Sequence, residues 1–157
     1  MRTTCTDLSP YYLAEARENV EYFAEFDAAV NPGRALLART AFAQAAAEAL
    51  PFGDASFDVL MNVYLFHELP AEARAAAAAE FGRVVRPGGL CVINDSLQAG
   101  DRPEMDAVMP LFPANYHEPY YEEYTRTDMA ALFDAAGFDC VSVELAHVSK
   151  VWAFVRR

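Results

Sequence analysis

The sequence predicts an α/β domain with a largely parallel sheet, and three observations carry that prediction. Short apolar runs rich in β-formers alternate with helical periodicity in the order strand, helix, strand, strand, helix, strand. Two of those runs end in an acid, Asp7 and Asp95, and Asp7 would sit at the strand edge where open α/β sheets bind ligands. The last two β-patterned runs, Asp139 to Glu144 and Val148 to Val155, are too close for a crossover and read as an antiparallel pair.

The first element is the β-prone Thr3-Thr4-Cys5-Thr6, which leads into Asp7-Leu8-Ser9-Pro10. Ser9 is a good N-cap, and Pro10 suits the first helical position, where a missing N–H costs nothing. The helix then runs from Pro10 to about Phe26, with Tyr12, Leu13, Ala16, Val20 and Phe23 at helical spacing. Asn31-Pro32-Gly33 is a turn, and Arg34 to Arg39 has room for a short helical turn. Thr40 to Gln44 is the next strand, weakened by its alanines.

The stretch Ala45 to Leu69 organises the chain. Phe57 to Tyr64 reads as a buried parallel strand between the Gly53–Ser56 turn and the Glu68-Leu69-Pro70 helix start. Ahead of it, Ala45-Ala46-Ala47-Glu48 leaves backbone open to a flat ligand, and Leu50-Pro51-Phe52 supplies an apolar wall suited to an adenine ring. A plain buried strand with an alanine-rich lead-in fits the same residues. Pro70 opens a helix to about Val85, anchored by Phe81, Val84 and Val85, and Arg86-Pro87-Gly88-Gly89 stops it with a turn. Leu90 to Asp95 is another buried-strand pattern.

Leu97 to Tyr124 breaks the rhythm with Pro103, Pro110, Pro113, Pro119 and a cluster of aromatics. A helical piece is expected near Glu104 to Leu111, and none in the proline-rich stretch from Phe112 to Tyr121. The segment reads either as a lid over the strand ends or as a surface loop pinned by its own rings. Thr127-Asp128 caps a helix to Ala136, and Gly137 ends it.

Composition narrows the function. The 157 residues suit one domain, with 97–124 as an insertion on its ligand side. A net charge of −11 argues against a nucleic-acid partner, because phosphate binding needs a basic face. No run reaches the ~18 apolar residues of a membrane span. Cys5, Cys91 and Cys140 are few and scattered, and read as small buried hydrophobes in a reducing compartment. No metal site is expected: there is no CxxC, and His67, His117 and His147 lie far apart.

Six stretches, in order and in register, resemble one family. They are Asp7-Leu8-Ser9-Pro10, Ala47-Glu48-Ala49-Leu50-Pro51-Phe52, Ser56-Phe57-Asp58-Val59, Phe66-His67-Glu68-Leu69, Arg83-Val84-Val85-Arg86-Pro87-Gly88-Gly89 and Ala136-Gly137-Phe138. The family is the class I S-adenosylmethionine-dependent methyltransferases, in their small-molecule branch. The resemblance starts at the family's second strand. The family's first strand and its glycine-rich GxGxG loop would precede Met1. On this reading the chain is an N-terminally truncated methyltransferase with an incomplete Rossmann-like sheet: mostly parallel, helices on both faces, an antiparallel pair at its end, and two edges left without a partner.

The resemblance implies roles for single residues. Asp7 would bind the ribose hydroxyls of S-adenosylmethionine, Leu8 would pack on the adenine, and Ala46, Ala47 and Glu48 would border its edge. Ala46 stands where many relatives carry an acid or asparagine. Asn62 and Val63 would face the methionine part, with Tyr64 beside the acceptor. His67 would act as a base, although a hydrogen-bonded, half-buried histidine fits it equally well. Tyr116, His117, Tyr120 and Tyr121 would line the acceptor side. Asp7 alone also reads as a loop acid near a helix N-terminus.

The expected activity is methyl transfer to a small, aromatic or apolar acceptor, in the cytoplasm, or in an organelle if a transit peptide is missing with the N-terminus. Unpaired edges favour a homodimer. The competing expectation is a non-catalytic half-domain serving as an interaction module. A nicotinamide-dependent Rossmann enzyme fits less well, because GxGxxG is absent.

Overall fold

The computed structural model describes residues 2–30 and 39–157, without the side chains of residues 27 and 28. The turn expected at Asn31–Gly33 and most of the stretch after it lie outside the described residues. The described chain forms two compact units, Met1–Pro51 and Phe52–Arg157.

In the first unit, β1 (Thr3–Asp7) pairs in parallel with β2 (Thr40–Gln44), in a register that sets Asp7 beside Gln44. The helix between them, α1 (Pro10–Val30), starts at the expected proline and runs four residues past the expected Phe26. Tyr11, Tyr12, Tyr22, Phe23, Phe26 and Val30 on this helix are exposed.

The second unit holds a four-stranded sheet in the order β3-β4-β6-β5. β3 (Phe57–Val63) pairs in parallel with β4 (Val85–Ser96). β6 (Ser149–Arg156) runs antiparallel to both β4 and β5 (Phe138–Ala146). Parallel and antiparallel pairings are therefore equal in number among the described strands, which corrects the expectation of a mostly parallel sheet. Among the described residues β1 bonds only to β2, and β3 only to β4 on one side.

The core of the second unit lies on one face of its sheet. Cys91 and Ile93 of β4, with Trp152 and Phe154 of β6, are buried there. α2 (Ala71–Val84) brings Ala77, Ala78, Phe81 and Val84, and α5 (Met129–Ala135) brings Met129 and Phe133. Phe133 stacks on Phe154 with ring centroids 4.3 Å apart. Asp128 caps α5, accepting the Ala131 N–H at 3.0 Å, and Gly137 follows at φ 86°. Gly82 packs against the carbonyl of Ala136, so any larger residue would collide there.

Several local expectations change. β3 is an edge strand among the described residues, and it is not buried: Val59, Met61 and Val63, which alternate onto one face, are exposed. The expected turn at Arg86–Gly89 lies inside β4 as a bulge. Phe57 pairs with Val85 and Val59 with Leu90, and Gly88 takes the excess length at φ 72°. Cys140 is exposed and Cys5 half-buried, and Cys91 alone is buried; Cys140 lies on edge strand β5, beside a bulge.

Residues 101–110 form successive turns rather than the expected helix. A short helix, α3 (Leu111–Asn115), arises inside the proline-rich stretch instead. Pro113 is tolerated because it falls in the first turn, where its N–H has no intrahelical partner. α4 (Tyr121–Tyr124) follows.

Candidate functional site

The site in the second unit is built where β3 and β4 end. Tyr64 leaves β3 at φ 51°, a left-handed conformation uncommon for a tyrosine, after its N–H closes the ladder on the Asn94 carbonyl at 2.8 Å. The chain then enters a 3-10 turn at Phe66–Glu68. Asp95, on the neighbouring strand, is fully buried. Its Oδ2 accepts the backbone N–H groups of Leu65 at 3.1 Å and Phe66 at 2.8 Å. Its Oδ1 accepts the Ser96 N–H at 2.7 Å and lies 2.6 Å from Nδ1 of His67. A buried carboxylate is stable only when its lone pairs are filled in this way. One side chain thus fixes both the turn and the orientation of the imidazole.

His67 is itself buried, with the rings of Tyr64, Tyr121 and Tyr124 edge-on at about 6 Å. Burial opposes the charged imidazolium and is the largest single influence on it. The Asp95 hydrogen bond and the charges of Asp95, Glu118 and Glu68 together outweigh burial and hold the His67 pKa above the ordinary histidine value. Since Asp95 accepts at Nδ1, the neutral form of the ring is the tautomer protonated there, with its lone pair on Nε2. The nearest charged atom to Nε2 is Glu68 Oε1 at 3.9 Å, beyond hydrogen-bond distance.

His67 forms part of the wall of a cavity of about 320 Å³, together with Tyr64, Met105, Met109, Phe112 and Tyr121. The other hydroxyls at this wall are engaged. The Tyr64 hydroxyl bonds Ser149 Oγ, Ser96 Oγ and the Tyr121 hydroxyl bond each other at 2.8 Å, and the Tyr124 hydroxyl donates to the Ser96 carbonyl at 2.6 Å. Burial pushes the pKa of the Tyr121 phenol upward. The segment bearing Tyr121 and Tyr124 is tied down at its base by Gln98, whose amide donates to the carbonyls of Tyr124 and Thr127.

Of the residues expected on the acceptor side, Tyr64 and Tyr121 line the cavity. Tyr116 reaches it only through Phe112, against which its ring lies at 4.8 Å. His117 and Tyr120 are exposed and do not line it. The alternative of a hydrogen-bonded histidine at position 67 matches the observed Asp95 contact, and the ring is more deeply buried than that reading supposed.

Sequence reasoning missed Asp95 as a site residue, along with Ser96, Met105, Met109 and Phe112. The visible signal for Asp95 was its place at the end of a strand. Histidine spacing suggested no metal ligands. The fold nevertheless brings one ligand atom each of His67, Glu68 and Glu118 within 4.8 Å of one another.

The first unit holds the residues expected to meet a nucleoside. Asp7 Oδ1 accepts the Ser9 N–H at 2.7 Å, and no other bond to this carboxylate occurs among the described residues. The Asp7 carbonyl accepts the Ala45 N–H at 3.0 Å, and Gln44 Nε2 donates to the Leu8 carbonyl at 2.9 Å. These bonds bring Asp7 and Leu8 to the same strand tip as Ala45. Ala46 and Ala47 follow directly, and the Ala46 carbonyl closes a turn on the Ala49 N–H. Leu8 and Glu48 are exposed. In the second unit Asn62 lies next to last on β3. Its Oδ1 is buried without a partner, an orphaned acceptor of the kind a ligand satisfies, and Val63 beside it is exposed.

A family model described as "methyltransferase domain" matches residues 1–93. An uncharacterized protein of Haemophilus influenzae is 34% identical over 95 residues, covering 60% of this chain and 34% of that protein. An uncharacterized methyltransferase of Synechocystis sp. is 26% identical over 137 residues, covering 85% of this chain and 63% of that protein. The chain therefore spans about a third and somewhat under two thirds of these relatives. Among solved structures, a SAM-dependent methyltransferase from Methanosarcina mazei superposes with a TM-score of 0.65 at 18% identity, covering 98% of this chain and 82% of that one, a likeness of fold.

Proposed function

The chain belongs to the methyltransferase-domain family, the class I S-adenosylmethionine-dependent methyltransferases, and from that premise we propose that it takes part in methyl transfer to a small, aromatic or apolar acceptor. The observation that carries this reading is His67, held by a fully buried Asp95 at the wall of an apolar cavity beside the tip of β3. When bound, the cofactor supplies a methyl group already made electrophilic by its sulfonium, so the protein's task is alignment and exclusion of water.

The residues that would hold the cofactor fit it. Asp7 keeps carboxylate oxygen capacity for ribose hydroxyls, exposed Leu8 offers a surface for a flat ring, and Ala46 and Ala47 leave backbone open, with Glu48 at the edge. Tyr64 and Tyr121 would flank the acceptor, with Tyr116, His117 and Tyr120 further out on the 97–124 segment, which serves as a lid. His67 would take a proton where the acceptor must lose one. No helix among the described residues is long and apolar enough to cross a membrane.

Calorimetric titration of this chain with S-adenosylhomocysteine tests the reading. Binding in the micromolar range is expected, weakened roughly 5- to 150-fold in Asp7→Ala by the loss of charge-assisted hydrogen bonds. No heat at millimolar ligand overturns cofactor binding by this chain, and an unchanged affinity in the variant removes Asp7 from the site.

A further inference from the structure

The turn after β3 and the 97–124 segment meet at a cluster of metal-ligating groups. Glu68 follows His67 in the 3-10 turn, and Glu118 arrives from the far end of the segment. The Glu118 carbonyl accepts the Tyr121 N–H at 3.3 Å, and α4 is fastened to β4 through the Tyr124 hydroxyl on the Ser96 carbonyl. One ligand atom from each of His67, Glu68 and Glu118 lies within 4.8 Å of the other two. His67 is only 6% exposed, and its Nε2 has no hydrogen-bond partner among the described residues. Its Nδ1 is held by Asp95, the kind of outer contact that fixes the orientation of a metal-binding imidazole and makes it a better ligand. Asp95 has its own oxygens filled by three backbone N–H groups, so it backs the ring rather than reaching a cation. Two carboxylates drawn together beside one imidazole repel each other, and a cation among them removes that repulsion.

We propose that His67, Glu68 and Glu118 bind one divalent transition-metal cation of the zinc class, which clasps the 97–124 segment to the turn after β3. The donors are one imidazole nitrogen and two carboxylate oxygens. An imidazole suits zinc, iron, copper and nickel, whereas magnesium and calcium take oxygen ligands. Three protein ligands leave a further coordination position to water. Bonds from zinc to such ligands run about 2.0–2.2 Å, so the donors draw closer together when the cation enters. The buried imidazole is the fixed member. The Glu68 side chain is 57% exposed and Glu118 is half-buried, so the carboxylates make the adjustment. Because two ligands lie on the turn and the third on the segment, the cation stabilises the arrangement in which segment and turn are together. The site stands without the methyl-transfer reading. Where that reading holds, cation and proton compete for the Nε2 lone pair, and a loaded site inhibits any transfer that needs His67 as a proton acceptor.

The test uses the metal alone. Cobalt(II), a coloured stand-in for zinc, is titrated into the chain at neutral pH and followed by visible absorption. The expected result is saturable uptake of one cobalt per chain, with the visible bands of nitrogen and oxygen coordination and without the near-ultraviolet band of a cobalt thiolate. Excess zinc should displace the cobalt, and excess magnesium should not. His67→Gln should abolish the uptake, and Glu118→Gln should weaken it by roughly tenfold or more. Circular dichroism identifies a variant that fails to fold. Glu118→Gln, at a half-buried position outside any helix or strand, decides if His67→Gln does not fold. No saturable uptake at millimolar cobalt overturns the site. A thiolate band gives the cation to a cysteine, displacement by magnesium removes the imidazole from the ligand set, and an unchanged affinity in Glu118→Gln removes the clasp; each overturns the proposal. A chain that takes cobalt but ignores S-adenosylhomocysteine keeps this inference and loses the transferase reading; the opposite pair of results does the reverse.

Discussion

The two compact units contain the same kinds of element and are held together differently. β1, α1 and β2 pair and pack locally, yet Leu50, beyond β2, is the one buried hydrophobic side chain among the first unit's described residues, and α1 exposes all five of its aromatics. The second unit buries Phe66, Phe81, Phe133, Phe138, Trp152 and Phe154 between its sheet and its helices. The same contrast holds between the two strand-terminal acids. Asp7 is half-buried and accepts one backbone N–H, whereas Asp95 is fully buried and accepts three, with an imidazole besides. An acid with unfilled capacity is available to a ligand; an acid with none is part of the frame that aims another group.

The largest expected effect sharpens the contrast between the units. β4 is bonded on both sides, to β3 and β6, and sits over the core, so its amides should open only with the whole second unit. β1 is bonded on one side among the described residues. Hydrogen exchange should be slower in β4 and β6 than in β1 and β2 by on the order of a thousandfold. Equal protection in the two sets would break the comparison.

The acids come next. Asp95→Ala leaves the Leu65, Phe66 and Ser96 N–H groups and the His67 ring without their acceptor, and should destabilise the protein by about 3–5 kcal/mol. Asp7→Ala removes one part-exposed turn bond and should cost under about 1 kcal/mol of stability while weakening cofactor binding. Denaturant midpoints for both variants check this. Similar losses in the two would mean that the carboxylates are not in different structural roles.

Much of this was legible in the sequence, and what was not has a common cause. The helix start at Pro10, the strand at Thr40–Gln44, the Asp128 cap and the Gly137 stop were readable because each depends on residues within one turn. The unpaired edge of β3 was readable only through the family resemblance, since Val59 and Met61 look the same whether or not a strand lies beyond them. The β4 bulge was read as a turn because Gly88 at positive φ serves either geometry. Pro113 suggested no helix because its meaning depends on where the helix starts. At the site, His67 stood out by residue type, but its partner lies 28 positions away and Glu118 further still. Pairings across that distance come from the sheet, not from local pattern.

The smallest effect is a pH dependence that belongs to His67. Its folded pKa is raised, so the folded state holds that proton more tightly than the unfolded chain does, and histidine in unfolded chains titrates near about 6.5. The resulting stabilisation is complete below that value. It is lost as pH rises through the higher folded value, so unfolding free energy should fall across that window. The groups facing the ring are Asp95 from β4, Glu68 from its own turn, Glu118 ahead of α4, and the Tyr64, Tyr121 and Tyr124 rings. Burial pushes the Cys91 thiol up to about 12, outside the range that matters. His67→Gln should flatten the slope while leaving the acid-side behaviour of the rest of the chain intact. A slope that survives the substitution would assign it to another group. A slope of opposite sign in the wild type would mean that burial, not Asp95, governs the imidazole, and that the second unit's acid holds its ring without charging it.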